Sequence, residues 1–273
     1  MSDKPKRLSD QDLKDQLLET AGQVEKTTLV KENNFPTEII ELPSKGLPYA
    51  EDNSLSSGKI EMKYMTAKEE DILTTQSYIT QGIVLDKLFK ALIVSNGEGK
   101  PVKYNDLLVG DKNAIMIAAR VLGYGKDYTI NIPDPFNGGE PQAETVDLTS
   151  LEDKPLHDQI TKYPNTNAFE YELPVSKKRL RFKLMTHGME RKVEHALKDI
   201  KKIQKRSKED TKSIAEFVDV HMLALDSRAF RKYLTEITPD IDLNFDFVSN
   251  ETGDEQEVEI PIEVSFFWPD SRV

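Results

Sequence analysis

Apolar residues change their spacing several times along this chain, and each change predicts an element. Residues 59–65 put Ile60, Met62 and Tyr64 on one side, the alternation of a half-buried strand. Residues 38–42 read as a shorter strand before it. The intervening stretch, 43–58, holds Pro43, Gly46, Pro48 and Gly58 and reads as a loop. Thr66 followed three residues later by Glu69 is a capping box. In that pair each side chain satisfies a backbone donor that the first helical turn leaves free. A helix over 79–94 carries Ile79, Ile83, Leu88 and Leu92 as its stripe. Another, over 111–122, is apolar nearly all round, through Ala114, Ile115, Met116, Ile117, Ala118 and Ala119. Such a helix belongs at the centre of a core. Gly123 and Gly125 end it.

Strand patterns dominate next, at 128–132, 145–148, 169–173 and 180–184, with polar loops at 133–141 and 155–167. Helical spacing returns with Met189, Val193, Leu197, Ile200 and Ile203. Further helices are expected around 214–225 and from Asp226, read as an N-cap, to Ile237. The end is a hairpin: Leu243, Phe245 and Phe247 alternate, residues 250–253 turn, and Val258, Ile260, Ile262 and Val264 alternate back. The expected fold is α+β, helices packed against antiparallel β-hairpins, with a flexible N-terminal arm. Its parts are the arm (1–35), a mainly helical part (36–125), a β-rich part (126–185), a second helical part (186–241) and the C-terminal hairpin with its aromatic end (242–273).

Composition sharpens this picture at the arm. Hydrophobic residues make up only 37% of 273, and residues 1–35 are polar and almost free of aromatics. Such a segment buries too little to offset its ordering entropy. Leu13, Leu17, Ala21 and Val24 nevertheless share one helical face. The arm reads either as loose alone and helical on a partner, or as a solvated tail. Charge and cysteine count narrow the chemistry. A net charge of -11 disfavours general binding to phosphate backbones. With no cysteine there is no disulfide, thiolate metal site or Cys nucleophile, as suits a reducing compartment. No apolar run of the chain reads as a signal peptide or a bilayer span.

Catalytic patterns are sparse. Gly97-Glu98-Gly99-Lys100 and Gly123-Tyr124-Gly125-Lys126 each resemble part of a phosphate loop but lack its spacing. His187 and His195 lie two turns apart and read as a solvated helix face. Asp240, Asp242 and Asp246 would collect a divalent cation only by converging, and a wet sheet face is the plainer reading. The basic run at Lys198, Lys201, Lys202, Lys205, Arg206 and Lys208 has no interleaved aromatics for base stacking. The sharpest feature is Phe266-Phe267-Trp268-Pro269. Neighbouring strand residues alternate faces, so either both faces are covered or at least one ring is open to a partner. The candidate partner-binding residues are therefore Phe266, Phe267 and Trp268, with Leu13, Leu17 and Val24 in the arm. No cofactor is expected.

Several stretches carry a family likeness. Glu41-Leu42-Pro43-Ser44-Lys45-Gly46, residues 60–73 (IEMKYMTAKEEDIL) and Gly110-Asp111-Lys112-Asn113-Ala114 resemble the T-even-type bacteriophage baseplate hub assembly family. So do Asp226-Ser227-Arg228-Ala229-Phe230-Arg231 and the ending Phe266-Phe267-Trp268-Pro269. The resemblance runs over about 38–269. It implies a non-enzymatic protein that helps build the hub of a contractile tail, chaperone-like, through contacts with other tail or hub proteins, the tape-measure protein among them. Neither nucleic acid nor membrane is an expected partner. The implied location is the host cytoplasm during assembly, or the virion baseplate. The alternatives are a permanent structural subunit of the hub and, further off, a metal-dependent hydrolase using the three aspartates. The resemblance also implies paired cysteines near the terminal hairpin, a small metal knuckle. Here residues 247–253 read Phe-Val-Ser-Asn-Glu-Thr-Gly, and the hairpin must be held by its own core.

Overall fold

In a computed structural model of the chain, residues 35–133, 136, 141–198, 216–262 and 264–267 are described. The chain divides into two units, Met1–Phe35 and Pro36–Val273. Of the first, only Phe35 is described.

Strands β1 (Thr37–Glu41), β2 (Lys59–Lys63) and β3 (Ile93–Ser95) form an antiparallel sheet with β2 in the middle. Ile40 faces Ile60 and Met62 faces Ile93, with a register shift between Glu61 and Met62. Ile60 and Met62 are fully buried, as their alternation predicts. The β1–β2 connection doubles back on itself at two glycines. Both are left-handed, Gly46 at φ 78° and Gly58 at φ 67°. A Cβ on Gly46 would stand 2.4 Å from the Ser56 carbonyl oxygen, closer than real contacts allow.

Helix α1 (Ala67–Thr74) starts at the capping box: the Thr66 N–H donates to Glu69 Oε2 at 3.1 Å. The sequence suggests one helix over 79–94. The structure has two, α2 (Gln76–Gln81) and α3 (Val84–Leu92), separated by Gly82 at φ 66°. Its N–H closes back on the Tyr78 and Ile79 carbonyls. Helix α4 (Val109–Tyr124) packs against α3 and β1 and buries Ala114, Ile115, Ile117, Ala118 and Ala119. Burying an Ile or Leu side chain contributes about 1.5–3 kcal/mol, so α4 is a principal source of stability.

Among the described residues three hairpins complete the sheet content: β4 (Asp127–Ile132) with β5 (Gln142–Asp147), β6 (Phe169–Glu172) with β7 (Arg179–Phe182), and β8 (Asn244–Val248) with β9 (Glu255–Glu259). All are antiparallel. The loop expected at 155–167 contains a short helix, α5 (Asp158–Lys162), whose one buried side chain is Ile160. Helices α6 (His187–Lys198) and α7 (Ala224–Ile237) frame the remainder, with a single π-helical turn at Phe217–His221 before α7. The fold is α+β, as expected from the sequence. One cluster of buried residues joins α1, α3, α4 and the three hairpins, with Phe247, Phe266 and Phe267 closing it at the C-terminal end.

Candidate functional site

Phe266 and Phe267 are fully buried. The Phe266 ring meets Tyr128 at 4.8 Å edge-on, and the Phe267 ring meets Phe89 at 6.0 Å. The two rings stand perpendicular at 5.4 Å, so consecutive residues fill two faces of one interior. Trp268, Leu13, Leu17 and Val24 lie outside the described residues. Asp240, Asp242 and Asp246 do not act together. Asp240 accepts from Asn113 Nδ2 at 3.0 Å, while Asp246 sits in β8 opposite Glu257. Among the described residues no cluster of three metal-ligating side chains occurs.

Two of the stretches that carry the family likeness meet each other. Ser44 of the first reaches Asp111 of another across 67 positions: its N–H donates to Oδ1 at 3.0 Å and its hydroxyl to Oδ2 at 2.8 Å. Tyr49 donates to the same Oδ2 at 2.5 Å and accepts from the Leu108 N–H at 2.9 Å. Ser44 and Asp111 are fully buried. Burial pushes the Asp111 carboxyl up to about 6, against the downward pull of the Tyr49 and Ser44 hydrogen bonds. Gly110 beside it has no room for a side chain, since a Cβ would fall 1.8 Å from the Pro239 carbonyl oxygen. Asp226 was expected to cap a helix. Instead α7 begins at Ala224, and Asp226 reaches across to accept the Val175 and Ser176 N–H groups at 2.8 and 3.1 Å. These residues fasten the fold, because a buried carboxylate surrounded by donors fixes the segments that supply them.

A different arrangement lies on the other side of α4. A cavity of about 350 Å³ opens between α2, α3, α4 and α6, with Tyr104 and Ile262 in its wall. His187, expected on a solvated helix face, is 3% exposed and stands within it. Its Nε2 is 3.2 Å from Asp86 Oδ1. Its ring meets Tyr104 edge-on at 4.6 Å. Tyr104 also donates to Asp86 Oδ1 at 3.3 Å, and burial next to that carboxylate pushes its hydroxyl well up. Arg191 pairs with Asp86 Oδ2 at 3.3 Å, and Lys112 with Glu190 Oε2. Apolar walls are supplied by Ile79, Leu85, Phe89 and Met116. Of these residues the sequence marks His187 alone as a candidate for chemistry, with Ile79 and Met116 read as core and Lys112 as part of a family stretch. The other signal available was the alternation of acid and base along α6 at Glu190, Arg191, Lys192 and Glu194.

A family model described as T4 bacteriophage base plate protein matches residues 39–268. The match spans most of the chain and includes every stretch involved in the Ser44–Asp111 contact, the Asp226 contact and the buried aromatic end. The chain belongs to that family of phage base plate proteins. No curated protein matches it, and no solved structure does.

Proposed function

We propose that the chain acts in assembly of the baseplate hub, chaperone-like, by binding other tail or hub proteins and without catalysing a reaction. Membership of the base plate family carries this reading. The use of the family's own stretches supports it, since Ser44, Gly110, Asp111 and Asp226 hold segments of the chain together. In this reading Phe266 and Phe267 form the rigid base of the C-terminal end, and Trp268 next to them contributes to partner contact, as do Leu13, Leu17 and Val24. Aromatic residues set on a rigid base supply much of the energy at protein interfaces. The tape-measure protein is one partner this reading allows.

The family's description supports a second reading equally, a permanent structural subunit of the hub. Two measurements separate them. Capture from infected cells with the full chain, read by mass spectrometry, should bring down tail or hub proteins, and Trp268→Ala should reduce that capture about tenfold. A peptide survey of purified virions should then lack the chain if it is an assembly factor and contain it if it is a subunit. Capture of no tail protein would overturn both.

A further inference from the structure

We propose that the open edge of β9 accepts an extended segment of a partner protein as a third strand, a segment carrying lysine or arginine at alternate positions. This rests on the reading above that the chain works by protein contact, and it supplies the place and the chemistry of one such contact.

The register of the hairpin decides which backbone groups are already paired. The Ile260 N–H donates to the Leu243 carbonyl at 2.8 Å, and the Ser249 N–H to the Asp254 carbonyl at 2.9 Å. Hydrogen-bonded pairs alternate along an antiparallel ladder. Asn244↔Glu259, Asp246↔Glu257 and Val248↔Glu255 are therefore the pairs that exchange no bonds, and their N–H and C=O groups point away from the hairpin. On the β8 side that edge is partly closed, because Gln142 of β5 donates to the Val248 carbonyl at 2.9 Å and accepts from the Asn250 N–H at 2.8 Å. On the β9 side the outward groups of Glu255, Glu257 and Glu259 have no partner among the described residues, and all three residues are exposed. Such a row is a template for an extended chain laid beside it.

The side chains choose which chain. Opposed residues share a face, so Asp246, Glu255, Glu257 and Glu259 stand together on the solvent face, without an ion-pair partner among the described residues. Asp246 and Glu257 are opposed in a pair without hydrogen bonds, where side chains come closest and like charges repel. Cations on an added strand relieve that repulsion. A second copy of β9 would instead set glutamate against glutamate. The other face of the hairpin is taken, with Phe247 fully buried and Phe245 and Val258 packed on the core.

The edge also leads into a pocket. Glu259, its last residue, lines a cavity of about 420 Å³ with Met116, Leu243, Ile260 and Ile262 as apolar wall. A strand antiparallel to β9 meets this cavity with the residue opposite Ile260, on the face away from its cations. The volume is at the lower end of the range for ligand pockets and admits a leucine-sized side chain. Backbone pairing along an edge, with pockets for alternate side chains, is how sheet edges hold extended peptides.

The test titrates the full, isotope-labelled chain with the peptide acetyl-Leu-Lys-Thr-Lys-Thr-Lys-amide and follows amide signals by NMR. Its lysines fall opposite Glu259, Glu257 and Glu255, and its leucine opposite Ile260. The amides of those glutamates should shift saturably and exchange more slowly with solvent, with a dissociation constant on the order of 0.1 mM. Methylating the lysine backbone nitrogens keeps the charge but removes the donors aimed at β9, and should weaken binding about tenfold or more. Replacing the lysines by glutamate should abolish it, and replacing the leucine by threonine should weaken it about fivefold. Glu257→Gln should weaken it about threefold without lowering the thermal midpoint, since one of two opposed carboxylates is gone. Equal binding of the methylated peptide would overturn the proposal in favour of charge attraction without strand pairing. Equal binding of the glutamate peptide, or unchanged binding to the Glu257→Gln variant, would overturn the choice of a basic segment. Equal binding of the threonine peptide would overturn the role of the cavity. Saturable shifts at β9 from none of the peptides would show an edge that its glutamates guard against pairing. Capture of tail proteins from infected cells reads the whole surface, so it is unaffected by failure of this single edge.

Discussion

Asp111 and Lys112 are consecutive residues of α4 and face opposite kinds of interior. On the Asp111 side a fully buried carboxylate is held by neutral donors: two hydroxyls and one backbone N–H. Among the described residues no cation shares that contact, and the backbone of Pro239 crosses close against Gly110. On the Lys112 side, acids and bases share the wall of an open cavity, with Lys112 against Glu190 and Arg191 against Asp86, all four partly wet. The first arrangement has no slack, because removing any member strands a polar group in a dry interior. The second can rearrange, because water and neighbouring ions replace what is lost. One helix thus carries a fastening on one side and an adaptable surface on the other. The stretches that mark the family supply Ser44, Gly110 and Asp111 to the fastening, and Tyr49 and Pro239 complete it from outside them.

The sharpest way to break this comparison is at Gly110. A methyl group there would lie 1.8 Å from the Pro239 carbonyl oxygen, and the obstacle is backbone, which cannot rotate away. Gly110→Ala should therefore cost about 4 kcal/mol or more, enough to lose soluble folded protein at 37 °C. Normal yield and an unchanged thermal midpoint would show that the α4–Pro239 crossing is not fixed. Asp111→Ala comes next. It leaves the Ser44 N–H, the Ser44 hydroxyl and the Tyr49 hydroxyl without their acceptor. At roughly 1–3 kcal/mol for each stranded group, offset by partial relaxation, about 3 kcal/mol should be lost. In a domain of this size that lowers the thermal midpoint by roughly 10 °C, measurable by circular dichroism.

What could be read in the sequence follows from how local each cause is. The Thr66–Glu69 capping box acts over three residues, and the alternation of Ile60 and Met62 over two, so both were legible. The burial of α4 was legible because its apolar residues run almost all round the helix. The break at Gly82 was not, because α2 and α3 continue the same apolar stripe through Ile79, Leu88 and Leu92. The small helix α5 was hidden for the opposite reason: with one buried side chain it has almost no pattern to show. Asp226 was read as a local cap, yet its partners are 50 and 51 residues away. Ser44 and Asp111 stood out as motif residues, but their contact spans 67 positions and no spacing rule reaches that far. The cavity is less legible still. His187 reads as a surface residue because charged residues follow it in sequence, and in the fold Asp86 and Tyr104, both distant in sequence, pack against its ring.

A pH profile sharpens the contrast through two buried carboxylates. Asp111 ionises at about 6 in the folded chain, above its ordinary value of 3.8. The folded state therefore binds the proton more readily between those values. The contribution of Asp111 to stability should grow as pH falls from about 6 to about 4, and be lost as pH rises through about 6. Glu69 behaves in the opposite sense. Burial pushes its carboxyl up, but Lys63 at 2.8 Å and the Thr66 hydrogen bonds outweigh that and hold it below the usual 4.5. Its contribution is present above that value and lost as pH falls beneath it. Asp111→Asn should flatten the rise in thermal midpoint between about pH 6 and pH 4, and Glu69→Gln should flatten the fall below about pH 4.5. An unaltered profile for Asp111→Asn would mean that this carboxyl does not titrate in the window.

The smallest effect is expected in the cavity, at Asp86. Its carboxylate accepts from Tyr104, pairs with Arg191 and faces His187, so by count of contacts it resembles Asp111. Its surroundings differ. Its side chain is 16% exposed and that of Arg191 is 26% exposed, so water reaches the pair. Asparagine at this position retains one carbonyl acceptor, and its amide can rotate to offer that oxygen to Tyr104 or to Arg191. A partly solvated ion pair contributes about 1 kcal/mol or less, and salt screens it. Asp86→Asn should therefore lower the thermal midpoint by about 3 °C at low ionic strength, and by less in 0.5 M sodium chloride. Asp111→Ala, whose lost partners are dry, should show no such dependence on salt. A loss at Asp86 as large as that at Asp111, and equally indifferent to salt, would mean that the cavity is a second fastening of the fold. The adaptable side of α4 would then have to be sought elsewhere on the molecule.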